Sequence, residues 1–228
     1  MKDPSPVTPS RRFPRGRHLS LVICVLVSIL AIAAGCGPPS NADKRFPSKA
    51  QVGAAARDET AGDWFLNRAE EAGLDFAYFN GMAGDFYFPE MMGGGVALFD
   101  YDNDGDLDVY FAQGRMLGPS QSVDQAIIPP HALPLRGRLY RNDLTVRADG
   151  SRQLHFTDLT AQSGIDATDY GMGVAAGDFN NDGCVDLYLT NFGPNHLYRN
   201  NCDGTFSDVS QSSGVGDSGW SVSAAFVD

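Results

Sequence analysis

FDYDNDGDLDVYF (residues 99–111) and GDFNNDGCVDLYL (residues 177–189) are two versions of one pattern. After the first residue each runs Asp, a variable residue, Asp or Asn, a variable residue, Asp, Gly, two more residues and Asp. In the first the oxygen-bearing side chains at ligand positions are Asp100, Asp102, Asp104 and Asp108; in the second they are Asp178, Asn180, Asp182 and Asp186. Side chains at alternate positions converge when the chain curls around one point, and Gly at position six permits the sharp turn. Position seven, Asp106 or Cys184, offers its backbone carbonyl. Hard oxygen donors on a pliable loop favour Ca²⁺ over Mg²⁺, which demands a stricter octahedron and keeps more water. Calcium is therefore the expected cofactor. A helical EF-hand loop would end in a bidentate Glu at position twelve. Phe111 and Leu189 stand there instead, between strand-like flanks, so each loop is expected at the bend of a β-hairpin. The competing reading is a solvated Asx-rich turn without metal. Against it, five carboxylates between residues 100 and 108 repel one another unless something neutralises them.

The loops sit in a longer repeat. Three segments align on a glycine: Trp64 to Leu74 on Gly73, Phe156 to Ile165 on Gly164, and Phe206 to Val215 on Gly214. Each has Phe eight residues before its Gly and Asn or Asp six before. A Gly-rich strand and an aspartate loop follow, then a Leu-Tyr-Arg-Asn segment at 139–142 and 197–200. The second unit runs 50 residues, from Asp178 to Asp228; the first, from Asp100, runs 78, with extra loops near 115–138 and 143–155. A period near 50 with four short strands is the size of a propeller blade. Strands are expected near 156–159, 172–176, 185–190 and 196–199. Leu107, Val109 and Phe111 alternate with Asp108 and Tyr110, and Val185, Leu187 and Leu189 repeat that phase. The fold class is therefore all-β, over residues 63–228. The final stretch 221–228 aligns with 171–178, which makes Asp228 the first position of a third loop. The expectation is an incomplete propeller of two units and the start of a third, continued in a longer protein.

GGGVALFDYDNDGDLDVYFAQG and GMGVAAGDFNNDGCVDLYLTNFGPNHLYRNNCDGTFSDV resemble FG-GAP/VCBS repeats, the calcium-loop blades similar to those of integrin α-subunit propellers. The flanking AGLDFAYFNG…FPEMMGGG is similar to bacterial proteins related to cartilage acidic protein, which carry ASPIC/UnbV domains after the repeats; no part of that domain is present. The resemblance implies a β-propeller serving adhesion or extracellular recognition, an analogy of fold that names no ligand.

The N-terminus reads as an export signal over residues 1–35. Basic residues Arg11 to Arg17 precede an uncharged run from Leu19 to Gly35 and then Cys36. Ala33-Ala34-Gly35-Cys36 resembles a bacterial lipobox, with Ala33 where Leu is usual, so Cys36 is the expected lipidation site. Cleavage after Ala33, a retained anchor, and a twin-arginine signal at Arg11-Arg12, against which Pro14 stands in the place of a hydrophobic residue, are the alternatives. Each places the body outside the cytosol, touching the membrane only through this segment. Residues 36–62 lack apolar periodicity and read as a flexible tether. The net charge is −11; the first 35 residues carry +4 (five basic, one acidic), so the rest carries −15. Such a body repels phosphate backbones, and no nucleic-acid partner is expected.

Export also permits a disulfide. Cys184 and Cys202 flank a hairpin whose midpoint is residue 193, with Gly193-Pro194 as the turn. They are expected opposite one another and bridged, with two free thiols as the alternative. His131, His155 and His196 show no zinc spacing and read as surface residues. Glu90 reads as a loop carboxylate. Phe76, Tyr78, Phe79, Phe86, Tyr87 and Phe88 read as packing between blades rather than a carbohydrate-binding face. The expected function is a calcium-dependent extracellular scaffold binding a protein or carbohydrate, and not an enzyme. The rival is part of a secreted calcium propeller enzyme such as a polysaccharide lyase, though no catalytic constellation is visible.

Overall fold

Alternating apolar residues after each aspartate loop, and a glycine-rich run before it, make two hairpins in the computed structural model, which describes residues 65–118 and 122–227. The export segment, Cys36, the tether and Asp228 lie outside the described residues. The first hairpin pairs β1 (Val96–Phe99) with β2 (Asp108–Phe111); β3 (Arg138–Asn142) adds to β2. A separate small hairpin, β4 (Thr145–Val146) and β5 (Arg152–Gln153), interrupts the chain before β6 (Phe156–Asp158) completes the sheet. The second sheet repeats this with β7 (Tyr170–Gly177), β8 (Asp186–Phe192), β9 (His196–Asn200) and β10 (Phe206–Asp208). Both are four-stranded antiparallel meanders, in the orders β1-β2-β3-β6 and β7-β8-β9-β10. The fold is all-β, as its periodicity implied; the strands expected near 172–176, 185–190 and 196–199 are β7, β8 and β9 of the second sheet, whereas the one expected near 156–159 is β6 and closes the first sheet, and β10 was not foreseen.

One face of each sheet shares a core. Ala97, Phe99, Tyr110 and Leu139 of the first meet Leu187, Leu189, Tyr198 and Phe206 of the second. Each leucine and phenylalanine among them contributes about 1.5–3 kcal/mol on burial. The other face of the first sheet is covered separately: Val109, Tyr140 and Phe156 pack with Ala72, Leu74, Phe76 and Phe111. Residues of β2 thus alternate between two apolar clusters, which is why the strand reads as nearly continuous apolar sequence.

The aligned glycines mark one local device. Gly164 ends the short helix α1 (Thr160–Ser163) at φ +78°, and Gly214 ends α2 (Ser210–Ser213) at φ +73°. Gly73 ends a helical turn at φ +83°, with Leu74 N–H bonded to Ala69 O at 2.8 Å. Gly73 and Gly164 also need the missing side chain for close approach, whereas Gly214 has open space around it. A Cβ on Gly73 would lie 2.6 Å from Phe156 O, and one on Gly164 2.9 Å from Phe206 O. Each turn therefore abuts the last strand of the next sheet. Phe156 and Phe206 are buried accordingly. Phe65, their counterpart by alignment, is 89% exposed, because no strand forms around it.

Residues 221–227 were expected to repeat the strand 171–177. They pass close to β7, where a Cβ on Gly173 would collide with Val222 O, and Ser221 N–H bonds Asn191 O of β8 at 3.1 Å, but they form no strand. The aromatic insertion divides in two. Phe79 is buried and Phe76 stacks on Phe111 at 4.7 Å, while Phe86 and Phe88 are exposed. Packing thus accounts for some of these rings and not for all. Glu90 is no surface loop carboxylate: it sits in a 3-10 turn (Phe88–Met91) at 3% exposure, and burial raises its carboxyl above the ordinary range. His131 is exposed, beside Asp75 at 2.6 Å. His196 is only half-exposed, because it lies between Asp169 and Asp208 at 2.8 and 3.1 Å. No helix among the described residues is long and apolar enough to cross a membrane.

Candidate metal-binding loops

The β1–β2 and β7–β8 connections are the two aspartate loops, and their hydrogen bonds match position by position. The first carboxylate, Asp100 or Asp178, accepts from the N–H of positions five and six: Asp104 at 3.1 and Gly105 at 2.9 Å, Asp182 at 3.2 and Gly183 at 2.8 Å. The position-five carboxylate accepts from position seven, Asp106 at 2.8 or Cys184 at 2.9 Å. The last carboxylate accepts from position two, Tyr101 at 2.9 or Phe179 at 3.0 Å. Position four takes a left-handed conformation in both loops, at φ +60° for Asn103 and Asn181, a region Asn tolerates better than other side chains.

Asp108 and Asp186 have no solvent exposure at all. Their remaining oxygens accept from Asn142 N–H at 2.8 Å and Asn200 N–H at 2.7 Å. Burial pushes the Asp108 carboxyl up to about 6; its two backbone donors pull the other way, and Asp102 and Asp104 push it further up. Asp186 is raised for the same leading reason. Asp102 is raised by burial and by Asp104. Exposed Asp178 is instead lowered by the N–H groups of Gly183 and its neighbours. A carboxylate in water needs nothing; a buried one beside other carboxylates must take up a proton or pair with a cation.

In the first loop, carboxylate oxygens of Asp100, Asp102 and Asp108 lie within 4.8 Å of one another, a spacing one ion can span. Asp104 flanks them with one oxygen engaged by Asp106 N–H, and Asp106 sits at the carbonyl position. The residues present fit a divalent cation. The second loop gathers less tightly. Asn180 replaces the middle carboxylate, and its amide donates to Asp182 Oδ2 at 2.7 Å. Among the described residues, Asp178, Asp182 and Asp186 do not come within that mutual distance.

Asn142 and Asn200 are the residues that sequence reasoning missed. Besides binding the buried carboxylate by its N–H, each sends its amide to the loop's position eight: Asn142 Nδ2 to Leu107 O and Asn200 Nδ2 to Val185 O, both at 3.1 Å. Asn200 Nδ2 also reaches Tyr101 O, in the other loop, at 2.7 Å. The recurrence of Leu-Tyr-Arg-Asn was the available signal.

Residues 178–228 match the family model described as FG-GAP-like repeat. This segment is an FG-GAP-like repeat. It opens on the second aspartate loop and takes in β8, β9, β10 and α2. No curated protein matches the chain. The first sheet carries the same loop, strand order and asparagine as the FG-GAP-like repeat, with two insertions.

Cys184 and Cys202 are bonded within the FG-GAP-like repeat, with Cα atoms 5.7 Å apart. They are not directly opposed. The β8–β9 register pairs Leu187 with Tyr198 and Leu189 with His196, which sets Asn201 across from Cys184. Cys202 comes within reach because it turns left-handed, at φ +59°. With both sulfurs bonded, neither offers a thiolate, so their proximity to Asp182 makes no metal site. Alkylation of denatured, unreduced protein should label neither cysteine, as read by intact mass. Cys184→Ser should cost roughly 3 kcal/mol for a closed loop of this length.

Proposed function

We propose that both aspartate loops bind Ca²⁺ and that the chain is an extracellular, calcium-stabilised scaffold for recognising a protein or carbohydrate. The observation that carries this reading is the solvent-inaccessible Asp108, held within 4.8 Å of Asp100 and Asp102. Asp100, Asp102, Asp104 and Asp108 would supply side chains to one ion and Asp106 its carbonyl. Asp178, Asn180, Asp182 and Asp186 would serve the second, with the Cys184 carbonyl. A bound cation supplies charge neutralisation and cross-links the ends of each loop. The backbone hydrogen bonds described above hold the carboxylates before it arrives. Calorimetry of the full chain should find two sites, the first loop being tighter because it has one more ligand carboxylate. Asp104→Ala should abolish the tighter site, and Asp182→Ala the weaker. A chain that takes up no Ca²⁺ would sink the proposal.

The same reading places the protein outside the cytosol, anchored through a lipid on Cys36. Labelled palmitate should enter the wild-type protein, and Cys36→Ser should abolish labelling and release the chain from membranes. Labelling that survives the substitution would exclude Cys36 as the acceptor.

A further inference from the structure

The first sheet joins β3 to β6 through residues 143–155, while the second joins β9 to β10 through 201–205 alone. Both connections complete a four-stranded meander, so the extra residues are not needed for the blade. What they add is the β4–β5 hairpin, with Arg147 and Arg152. These line a cavity of about 390 Å³ together with Arg68, which comes from the helical turn before Gly73. Glu71 is the one acidic residue lining it.

This grouping stands out against the charge of the chain. Residues 65–227 contain eight arginines and no lysine, among many more carboxylates. Outside the cavity, four of the five arginines sit beside acids, Arg138 with Asp158 at 2.7 Å, Arg141 with Asp143 at 2.7 Å, Arg115 with Asp169 at 3.6 Å and Arg136 with Asp166 at 4.0 Å, and the fifth, Arg199, bonds Asn201 at 3.1 Å. Arg68 lies 2.8 Å from Glu71. Arg147 bonds only the neutral Gln153, and among the described residues the Arg152 guanidinium has no partner. Three like charges gathered where carboxylates are plentiful, two of them without one, leave a local excess of donors. Guanidinium groups present rigid forks of N–H donors suited to oxyanions. A planar carboxylate satisfies one fork; a tetrahedral oxyanion offers acceptors in several directions and matches three.

We propose that this cavity binds a sulfate group, either as the free ion or as a sulfate ester on a carbohydrate. Arg147 and Arg152 hold it, Arg68 joins them by turning from Glu71, and Glu71 opposes binding by its charge. The long-range repulsion from the acidic body is screened beyond about 8 Å at physiological salt, so the local excess decides.

The test uses the calcium-loaded full chain, at constant ionic strength balanced with chloride. Sodium sulfate and a sulfated tetrasaccharide are titrated separately by calorimetry, with the unsulfated tetrasaccharide as control. Saturable binding of either sulfated probe is expected, with none for the control. The double variant R147Q/R152Q should weaken it by about tenfold or more, and Glu71→Gln should tighten it. Both variants should keep the wild-type melting temperature, since these side chains are exposed. Equal affinity for the two probes makes the free ion the ligand; a markedly tighter tetrasaccharide makes it the ester. Absence of saturable binding, or binding that the double variant leaves unchanged, overturns the proposal.

Discussion

EDTA at pH 7.5 is expected to lower the melting temperature of the full chain by roughly 10–20 °C relative to 1 mM Ca²⁺. The magnitude follows from linkage. A site occupied at a hundredfold excess over its dissociation constant stabilises by about 2.7 kcal/mol, and two such sites by about twice that. In a domain of this size each kcal/mol moves the transition by about 2–4 °C. The difference depends on pH with a definite sign. Without calcium, Asp108 has a folded value of about 6, above its ordinary 3.8. Its contribution is therefore favourable to the fold below the unfolded value and is lost as pH rises through about 6. That loss is roughly 3 kcal/mol, and the raised Asp186 adds to it in the same direction. With calcium the carboxylates must be ionised, so affinity falls as pH drops below 6. The gap between the calcium-loaded and EDTA-treated melts is widest at neutral pH and narrows by pH 5. Differential scanning calorimetry at pH 5.0, 6.0 and 7.5 measures it. A gap that widens toward acid would contradict the assignment of the buried aspartates.

Asn200→Ala is expected to destabilise the chain by about 3–5 kcal/mol, and Asn142→Ala by about 1–2 kcal/mol. The two occupy equivalent places in the two sheets, yet their side chains carry different numbers of hydrogen bonds. Asn200 Nδ2 serves Tyr101 O and Val185 O, and its Oδ1 accepts Cys202 N–H at 2.9 Å. Truncation takes the partner from all three groups, beneath a side chain that itself has no solvent exposure, although the bonds to Val185 and Cys202 are only part-buried. Asn142 Nδ2 serves Leu107 O, and its buried Oδ1 has no partner among the described residues. Asn200→Asp should cost at least as much as Asn200→Ala, because it keeps the acceptor for Cys202 but loses both donations and turns a buried carboxyl oxygen toward the carbonyls of Tyr101 and Val185. Urea unfolding in saturating Ca²⁺ gives the comparison; equal costs for the two alanine variants would show that the side-chain amides are incidental.

What could be read from the sequence was local. Glycine at a helix end, an aspartate loop and alternating apolar residues act within a few positions of themselves, so the Gly73, Gly164 and Gly214 alignment located the three turns. The hairpin setting of both loops followed from Phe111 and Leu189 standing where a Glu would close a helical loop. What escaped was set by neighbours distant in sequence. Asn200 meets Tyr101 across 99 positions, and nothing around either residue announces it. Glu90 is buried because segments remote from it close over it; a carboxylate between Pro89 and Met91 reads as a loop residue. Phe86 and Phe79 look alike in sequence and end on opposite sides of the solvent boundary. Cys202 reaches Cys184 only because one backbone angle changes sign, a displacement that strand counting cannot supply.

The side chain of Asn200 and that of Asn103, whose amide lies 3.3 Å from Gly183 O, tie the two aspartate loops to each other as well as to their own sheets. Loops joined in this way are not independent receptors. A ligand that orders one has already spent part of the conformational entropy that the other must lose, and the affinity it lends is returned in equal measure when the order of binding is reversed. If both loops take up ions as proposed, these shared hydrogen bonds would couple them, and the titration curve would be steeper than that of two separate sites.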